Sequence, residues 1–509
     1  MAAPLIDASP RRLYLVVGLC ALIVHVGALW NRFALDDLWI VANNPLVQDP
    51  TGWWRAFAEP YWPGNLTGTL YRPLAVASFA LDRLLDGATW MHAVNLLWHA
   101  AAAVAVAALA RSWAGAGAAL AAGLVFAVHP VHVEAVANLV GRNELMAAAF
   151  TLLAVHAGLV RGSPAWSAAA FGAGLLSKEN AAIAPALVVW GWMVGLAPRP
   201  APRRLAWFAA GWVVVGAAYA ALRYAVLHDY AAWHTVAAAF TGQPPMVIRV
   251  NAVAALSDVA RLLLFPLRLS ADYSPDHRTV VTSILELRFL LGATCLVAWA
   301  VLLARVWRRG KTVEAFGLGW IGIALLPVAN LLFPTGVLVA ERTLYLPSAG
   351  LALALGAWWR QLDRHRLGLL LGGVVVAGGL RSALRVPAWR DNQAVAATLL
   401  EDAPASYRTW DLAAWEFLWA GDAGRALEAF GRAGEIYHRD ARIYIAAADA
   451  AFTLGRHATA DSLLALADSA CQRCVAAYRN QAAVAQLRGV QATADSLRAR
   501  ARRLEALRE

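Results

Sequence analysis

Lysine is all but missing from this chain: Lys178 and Lys311 are the two lysines among 44 basic residues. Charge of either sign is scarce too. Asp, Glu, Lys and Arg make up 15% of 509 residues against 60% hydrophobic ones, where a soluble domain has roughly a quarter charged. That excludes an ordinary water-soluble globule. Four cysteines exclude a disulfide scaffold. Cys20 and Cys295 lie inside apolar runs and read as small core residues. Cys471 and Cys474 form one Cys-x-x-Cys, which allows a disulfide in an oxidising compartment and, without a second pair, gives zinc little support. The formal charge of +11 does not mark a nucleic-acid partner. Many basic residues fall in short clusters between apolar runs, at Arg11-Arg12, Arg203-Arg204, Arg308-Arg309-Lys311 and Arg364 to Arg366, which is the positive-inside pattern of a membrane protein. Lysine scarcity beside abundant alanine suggests a GC-rich, bacterial genome.

What is present is a series of apolar runs, at 13–30, 90–110, 114–128, 143–160, 164–177, 181–196, 205–226, 286–306, 313–333, 347–360 and 367–383, read as about eleven spans. The first has the basic flank of a signal peptide but is of span length, and no small-x-small cleavage motif follows. It is expected to stay as a span with a cytoplasmic N-terminus. Counting from there, the loops at Arg111, Arg161, Arg199 to Arg204, Arg305 to Lys311 and Arg360 to Arg366 all fall inside. Residues 247–268 are apolar but carry Arg249, Asp258 and Arg261. Crossing there would put the Arg308 cluster outside, so an interfacial or re-entrant helix on the outer side is expected. The outer segments are then 31–89, 227–285 and 334–346. In the first, Trp39, Trp53, Trp54, Tyr61, Trp62 and Tyr71 are expected to lie on the headgroup surface.

Beyond about residue 390 the long apolar runs stop and a repeat begins. Gly421, Gly455 and Gly489 recur every 34 residues. In register with them fall Trp410/Tyr444/Tyr478, Ala414/Ala448/Ala482, Ala426/Ala460/Ala494 and Ala433/Ala467/Ala501. Small residues at this period, with glycine at the turn, describe stacked helical hairpins of the tetratricopeptide type. The expected architecture is all-α: a membrane domain over 1–388 and about three repeats, forming a short α-solenoid, over 389–509.

The polar outliers of the apolar part converge on the outer side. Asp36 and Asp37 follow the first run, where intramembrane or membrane-edge charge is a functional-site hypothesis by default; a capped helix end with a solvated neighbour would also explain the pair. Tyr71-Arg72-Pro73, His129-Pro130-Val131-His132-Val133-Glu134, Gly141-Arg142-Asn143-Glu144, Ser177-Lys178-Glu179, Asp272 and Glu341-Arg342 share that side. His129, His132 and Glu134 could hold a metal or form a hydrogen-bonded helix end. Lys178-Glu179 and Glu341-Arg342 could be structural ion pairs. Together, the set suits chemistry on a lipid-linked anionic substrate: a carboxylate to take a hydroxyl proton, and Arg and Lys to hold a phosphate.

Those motifs, with Asn44-Pro45 and with Glu341-Arg342-Thr343-Leu344-Tyr345-Leu346-Pro347-Ser348, resemble the transmembrane and tetratricopeptide repeat-containing family of O-mannosyltransferases, which have the C-type glycosyltransferase fold. The order of membrane core and repeats is also the family's. The resemblance implies transfer of a sugar, mannose above all, from a polyprenyl or dolichyl phosphate carrier to a hydroxyl acceptor, often a protein Ser or Thr. It places the base at Asp36 or Asp37. Carrier-phosphate contacts are expected from Arg72, Arg142, Lys178 and Arg342, with support from His129, His132, Glu134, Glu144, Glu179, Asp272, Glu341 and Tyr345. The resemblance implies a lipid-linked donor and no certain cofactor; adjacent carboxylates would suit a divalent cation, and equally a base whose charged neighbour raises its pKa. The site and the repeats are expected in the periplasm, on a bacterial inner-membrane protein, with the repeats docking a protein or glycan acceptor. A non-enzymatic membrane scaffold or a transporter is the competing reading, and it predicts charges along a route through the bilayer.

Overall fold

The computed structural model describes residues 9–63, 70–85, 87–228, 236–274, 278–361, 363–470 and 475–506. Cys471, Cys474, Pro275 and Asp276 lie outside them. The described residues form helices and no strands. Six helices are long and apolar enough to cross a membrane: Pro10–Trp30, Ala88–Val128, Leu139–Val160, Pro202–Leu227, Leu287–Arg308 and Gly368–Trp389. The chain is an integral membrane protein.

The first helix shows how the sequence produces the packing. Leu13, Val17, Ala21 and His25 are buried, while Leu15, Leu19 and Ile23 are 60%, 45% and 67% exposed. Residues four apart share a face, so one stripe meets protein and the opposite one is left for hydrocarbon. Its partner is the 41-residue run Ala88–Val128, which breaks at Gly115 with φ 84° and ψ −175°, a left-handed conformation that favours glycine. The break is a reversal. His99 Nε2 lies 3.1 Å from the Ala127 carbonyl oxygen, and a Cβ on Gly123 would lie 2.9 Å from that of Ala107. The expected runs 90–110 and 114–128 are therefore the two arms of one hairpin.

Several expected spans are short. The helices Pro164–Ser177, Ala184–Met193, Thr312–Leu325 and Tyr345–Trp359 have 14, 10, 14 and 15 residues, whereas a crossing needs about 20. Two of these pack through glycine: a Cβ on Gly317 would lie 2.4 Å from the Gly350 carbonyl oxygen, and one on Gly350 2.5 Å from that of Gly317. Such close approach is the small-residue packing of membrane helices. The apolar segment at 247–268 forms the helix Pro245–Leu264 and is not among the six long apolar ones.

The region after Trp389 opens with Asn392–Asp402 and continues as three consecutive helix pairs: Tyr407–Trp419 with Ala423–Ile436, Ala441–Thr453 with His457–Ala470, and Val475–Leu487 with Gln491–Ala506. Gly421, Gly455 and Gly489 fall between the members of each pair with φ of 84°, 69° and 78°. The nine periodic alanines are all buried. This region is joined to the membrane part. Asp272 accepts a hydrogen bond from the Ser406 hydroxyl at 2.6 Å, Tyr437 donates to the Ala238 carbonyl at 3.0 Å, and Arg385 pairs with Asp402 at 2.6 Å.

Candidate active site

The site is assembled from helix ends and the turns between helices. Arg72 directly precedes Pro73–Asp82, Lys178 follows Pro164–Ser177, Glu134 and Glu144 flank the turn at 138–141, and Arg342 lies in the single turn Glu341–Leu344. Gly141 closes its turn against the preceding helix, where a Cβ would lie 2.1 Å from the Ala135 carbonyl oxygen. Onto that turn the first outer loop is clamped by Asp37. Its carboxylate accepts from the amides of Ala34 at 3.1 Å, Leu139 at 3.2 Å and Val140 at 2.8 Å, and its side chain is fully buried. The loop is also held from the far end of the chain: Arg32 donates its amide to the Arg390 carbonyl at 2.7 Å, and Leu35 to Asn392 Oδ1 at 2.6 Å.

Three ion pairs surround the loop. Arg72 makes a two-pronged contact with Glu179, at 3.0 and 2.6 Å. Lys178 pairs with Glu144, which also accepts from Asn180 at 3.2 Å. Arg342 pairs with Glu134 through its guanidinium and, at 2.8 Å, through its amide. Each glutamate therefore has its cation. Asp36 does not: it is exposed, and among the described residues its carboxylate has no hydrogen-bond or ion-pair partner.

The charges act on one another. Glu134 raises the Arg342 pKa first, burial opposes it, and Asp36 and Glu144 add to the rise. Burial lowers the Lys178 pKa against the pull of Glu144, and Arg72 and Arg342 lower it further. Burial works to raise the Glu179 pKa, yet the charge and hydrogen bonds of Arg72 hold it at about 2. Burial pushes Asp37 up to about 7 against its three amide bonds, with Asp36 adding repulsion. A carboxyl with that pKa would suit a general base; here the Asp37 oxygens accept from three amides and are closed to solvent.

The remaining expected residues divide by depth. Arg142 is expected at a carrier phosphate and is instead enclosed in the core, with its side chain 0% exposed. It donates to Asn95 Oδ1 and the Met91 carbonyl, both at 2.7 Å, to Ser78 Oγ at 3.2 Å and to Asp82, and its guanidinium lies 4.1 Å from the Phe79 ring centre. No face is left for a ligand. His129 and His132 form a hydrogen-bonded turn: His129 Nδ1 accepts from the Val131 amide at 3.3 Å, and His132 Nε2 lies 2.7 Å from Ser348 Oγ. Tyr345 is buried beneath them, its hydroxyl 2.8 Å from His99 Nδ1. Glu341 is buried and turned away from the loop, accepting from the Ser270 amide at 2.6 Å and the Tyr273 hydroxyl at 2.8 Å. Asp272 binds the repeat region.

Two of the aromatic residues expected on the headgroup surface are inside instead. Tyr71 and Tyr61 are 0% and 3% exposed, against 41% and 61% for Trp53 and Trp54. Tyr61 is a site residue that its sequence context hid: its hydroxyl accepts from Asn143 at 2.8 Å, and Arg72 lies 5.1 Å from its ring centre. Among the described residues no three His, Cys, Asp or Glu side chains are grouped to hold a metal. The three glutamates around the loop already have cations of the protein.

Buried charges gathered on helix ends of a polytopic helical membrane protein, around one free carboxylate, define the class: a membrane protein with an ionic site built on its first extramembrane loop. The curated homologues are protein O-mannosyl-transferases of the TMTC family. The chain is 26% identical over 465 residues to protein O-mannosyl-transferase TMTC4 of Mus musculus, covering 77% of this chain and 62% of that one. It is 40% identical to Tmtc2 of Drosophila melanogaster over 141 residues, 26% of this chain and 15% of the relative. The chain thus spans less than two thirds of the length of the TMTC4 relative. No protein-family model matches. Among solved structures, ArnT from Cupriavidus metallidurans bound to undecaprenyl phosphate is similar at a TM-score of 0.40 and 17% identity, over 93% of this chain and 79% of that one. An Archaeoglobus fulgidus oligosaccharyltransferase tethered to an acceptor peptide gives 0.40 and 13%, over 74% and 55%.

Proposed function

We propose that this protein is a glycosyltransferase of the C-type fold that moves a sugar, mannose in the first instance, from a polyprenyl phosphate carrier to a protein Ser or Thr hydroxyl. The observation that carries the reading is Asp36, the carboxylate without a partner amid three glutamates that each have one. Asp36 takes the hydroxyl proton as the acceptor oxygen bonds to the anomeric carbon. The bond from that carbon to the phosphate oxygen breaks, and its electron pair leaves with the phosphate. The phosphate is already anionic, so cations serve it better than a general acid.

Arg342, whose side chain is 36% exposed, is the best placed cation to meet it, with Arg72, 11% exposed beside a more open Glu179, behind it. Lys178, 9% exposed, contributes its field from below. Asp37 fixes the loop that presents Asp36, and Arg142 fixes the helix beneath. A divalent cation would find Asp36 and the donor phosphate as its ligands. The gathering of charge around one loop, rather than along a route through the bilayer, favours an enzyme over a transporter.

The positive-inside clusters support a reading in which this loop and the repeats face the periplasm of a bacterial inner membrane. Mass spectrometry of periplasmic proteins from cells with and without the protein tests the reading. The expected result is hexose on Ser or Thr residues that disappears with the protein. Hexose lost from a lipid or polysaccharide instead would overturn the protein acceptor, and no change in any glycoconjugate would overturn the enzyme.

A further inference from the structure

Asp36 has no side-chain partner among the described residues, so whatever aims it acts through the residues on either side. After it comes Asp37, the clamp onto the turn at 138–141. Before it comes Leu35, whose φ of 52° lies in the left-handed region. Leu35 and Asn330 are the two non-glycine residues with positive φ among the described ones. Asparagine visits that region readily, whereas a leucine there crowds its Cβ against the next carbonyl. Such a conformation persists where surrounding contacts over-determine it. Here it shapes a turn: the Asp37 amide donates to the Ala34 carbonyl at 3.1 Å, with Leu35 and Asp36 at the centre. Relaxing Leu35 to negative φ would open this turn and swing the Asp36 carboxylate to a new direction.

The contact that holds Leu35 comes from 357 residues away in the sequence. Its amide donates to Asn392 Oδ1 at 2.6 Å. Asn392 is the first residue of the helix Asn392–Asp402, which opens the region after Trp389. The Arg32 amide, bonded to the Arg390 carbonyl at 2.7 Å, keeps loop and helix start in register. Beneath them Ala34, Val133, Trp389, Val395 and Leu399 belong to one buried apolar cluster, and Leu35 packs against it. The other end of the Asn392 amide is occupied as well: its NH2 group donates to the carboxylate of Glu416, on the first repeat helix Tyr407–Trp419. With an N–H donor on one side and a carboxylate on the other, the amide can face one way only. One side chain thus joins the loop of Asp36 to the first repeat.

We propose that Asn392 is a positioning residue for the transfer reaction: it holds Leu35 in the left-handed conformation that aims Asp36, and Glu416 of the first repeat fixes the amide that does so. The inference rests on the glycosyltransferase reading, in which Asp36 is the base. It makes the repeat region part of the catalytic architecture.

The test uses the full chain in liposomes with mannosylphosphoryl-undecaprenol and a Thr-containing peptide. Asn392→Leu, similar in size but without an acceptor, should lower kcat roughly a hundredfold, the effect of a displaced catalytic group. KM for the donor should stay within about twofold, because the Arg342–Glu134 pair does not depend on Asn392. Glu416→Gln keeps an acceptor for the Asn392 amide and should transfer at nearly the wild-type rate, whereas Glu416→Leu should lose several-fold. Asn392→Asp alone sets two carboxylates face to face and should transfer poorly. Combined with Glu416→Gln, which supplies a donor in place of a charge, it should recover most of kcat. On the Asp36→Asn background, Asn392→Leu should cost less than about twofold more, since the base it aims is gone. Hydrogen exchange over residues 31–37 reads the contact without activity: the Leu35 amide should exchange slowly in the wild type and fast in Asn392→Leu. Full kcat in a well-folded Asn392→Leu would overturn the inference. So would a failure of Asn392→Asp with Glu416→Gln to recover, or an undiminished loss on the Asp36→Asn background. No transfer by the wild type would overturn the enzyme and with it the catalytic role of Asn392, while faster exchange at Leu35 in Asn392→Leu would still support the tether.

Discussion

Replacing Glu341 by glutamine should remove a pH dependence from the stability of the whole protein. Glu341 is 1% exposed. One of its oxygens accepts from Ser270 and Tyr273, and the other has no partner among the described residues. Burial, and then repulsion from Glu134, push its pKa from 4.5 up to about 8, with Arg385 pulling the other way. Between those two values the folded protein holds a proton that the unfolded chain has lost. Stability contributed by the protonated group is therefore full below about pH 4.5 and is lost as the pH rises through about 8. The slope is about 1.4 kcal/mol per pH unit in mid-range, or about 4 kcal/mol in all between pH 5 and pH 9. Glutamine keeps the shape, carries no charge and has no such slope. Thermal unfolding in detergent from pH 5 to pH 9 gives the comparison: the wild-type advantage over Glu341→Gln should shrink by about that amount. A difference that stays constant across the range would mean that Glu341 titrates normally, and the account of its burial would fail.

Three further outcomes follow from the same geometry. Lys178→Met should cost about 3–5 kcal/mol by leaving Glu144 charged and buried, and adding Glu144→Gln should restore most of it; additive losses in the double variant would show that the two do not act as a pair. Asp37→Ala strips the acceptor from three amides and should cost about 3 kcal/mol or more, while Asp37→Asn, which keeps one carbonyl oxygen for them, should cost clearly less; equal melting temperatures for the two would remove the clamp from the account. Asp272→Ala breaks the bond to Ser406, so limited proteolysis should cut the segment between Trp389 and Ser406 sooner than in wild type. Identical digestion would show that the repeat region is held by its other contacts.

Local patterns in the chain were legible, and pairings between distant residues were not. The 34-residue period of glycine and alanine announces the paired helices because each repeat imposes the same close contact. The hairpin at Gly115 is visible as two apolar runs parted by Arg111, although the reversal itself depends on a backbone angle. Arg142 misleads because its partner, Asp82, is 60 residues away in sequence, and nothing local separates an arginine buried against an aspartate from one awaiting a phosphate. Tyr61 looks like a headgroup aromatic until Asn143 and Arg72 close on it. Helices of 10 to 15 residues are not told apart from full crossings by hydropathy, since a short helix buried among its neighbours is as apolar as one facing lipid. Asp36 and Asp37 are equivalent in sequence, and their separation into a free carboxylate and a clamp comes from the turn of one residue in the loop.

That separation is the claim on which the function stands. Purified protein in liposomes is supplied with radiolabelled mannosylphosphoryl-undecaprenol and a Thr-containing peptide, and transfer is compared between wild type and Asp36→Asn. Loss of a general base slows such a step by roughly a hundredfold to ten-thousandfold, so Asp36→Asn should transfer almost nothing while inserting and melting as the wild type does, because its side chain supports no other contact. Transfer by a well-folded Asp36→Asn at the wild-type rate would contradict the account.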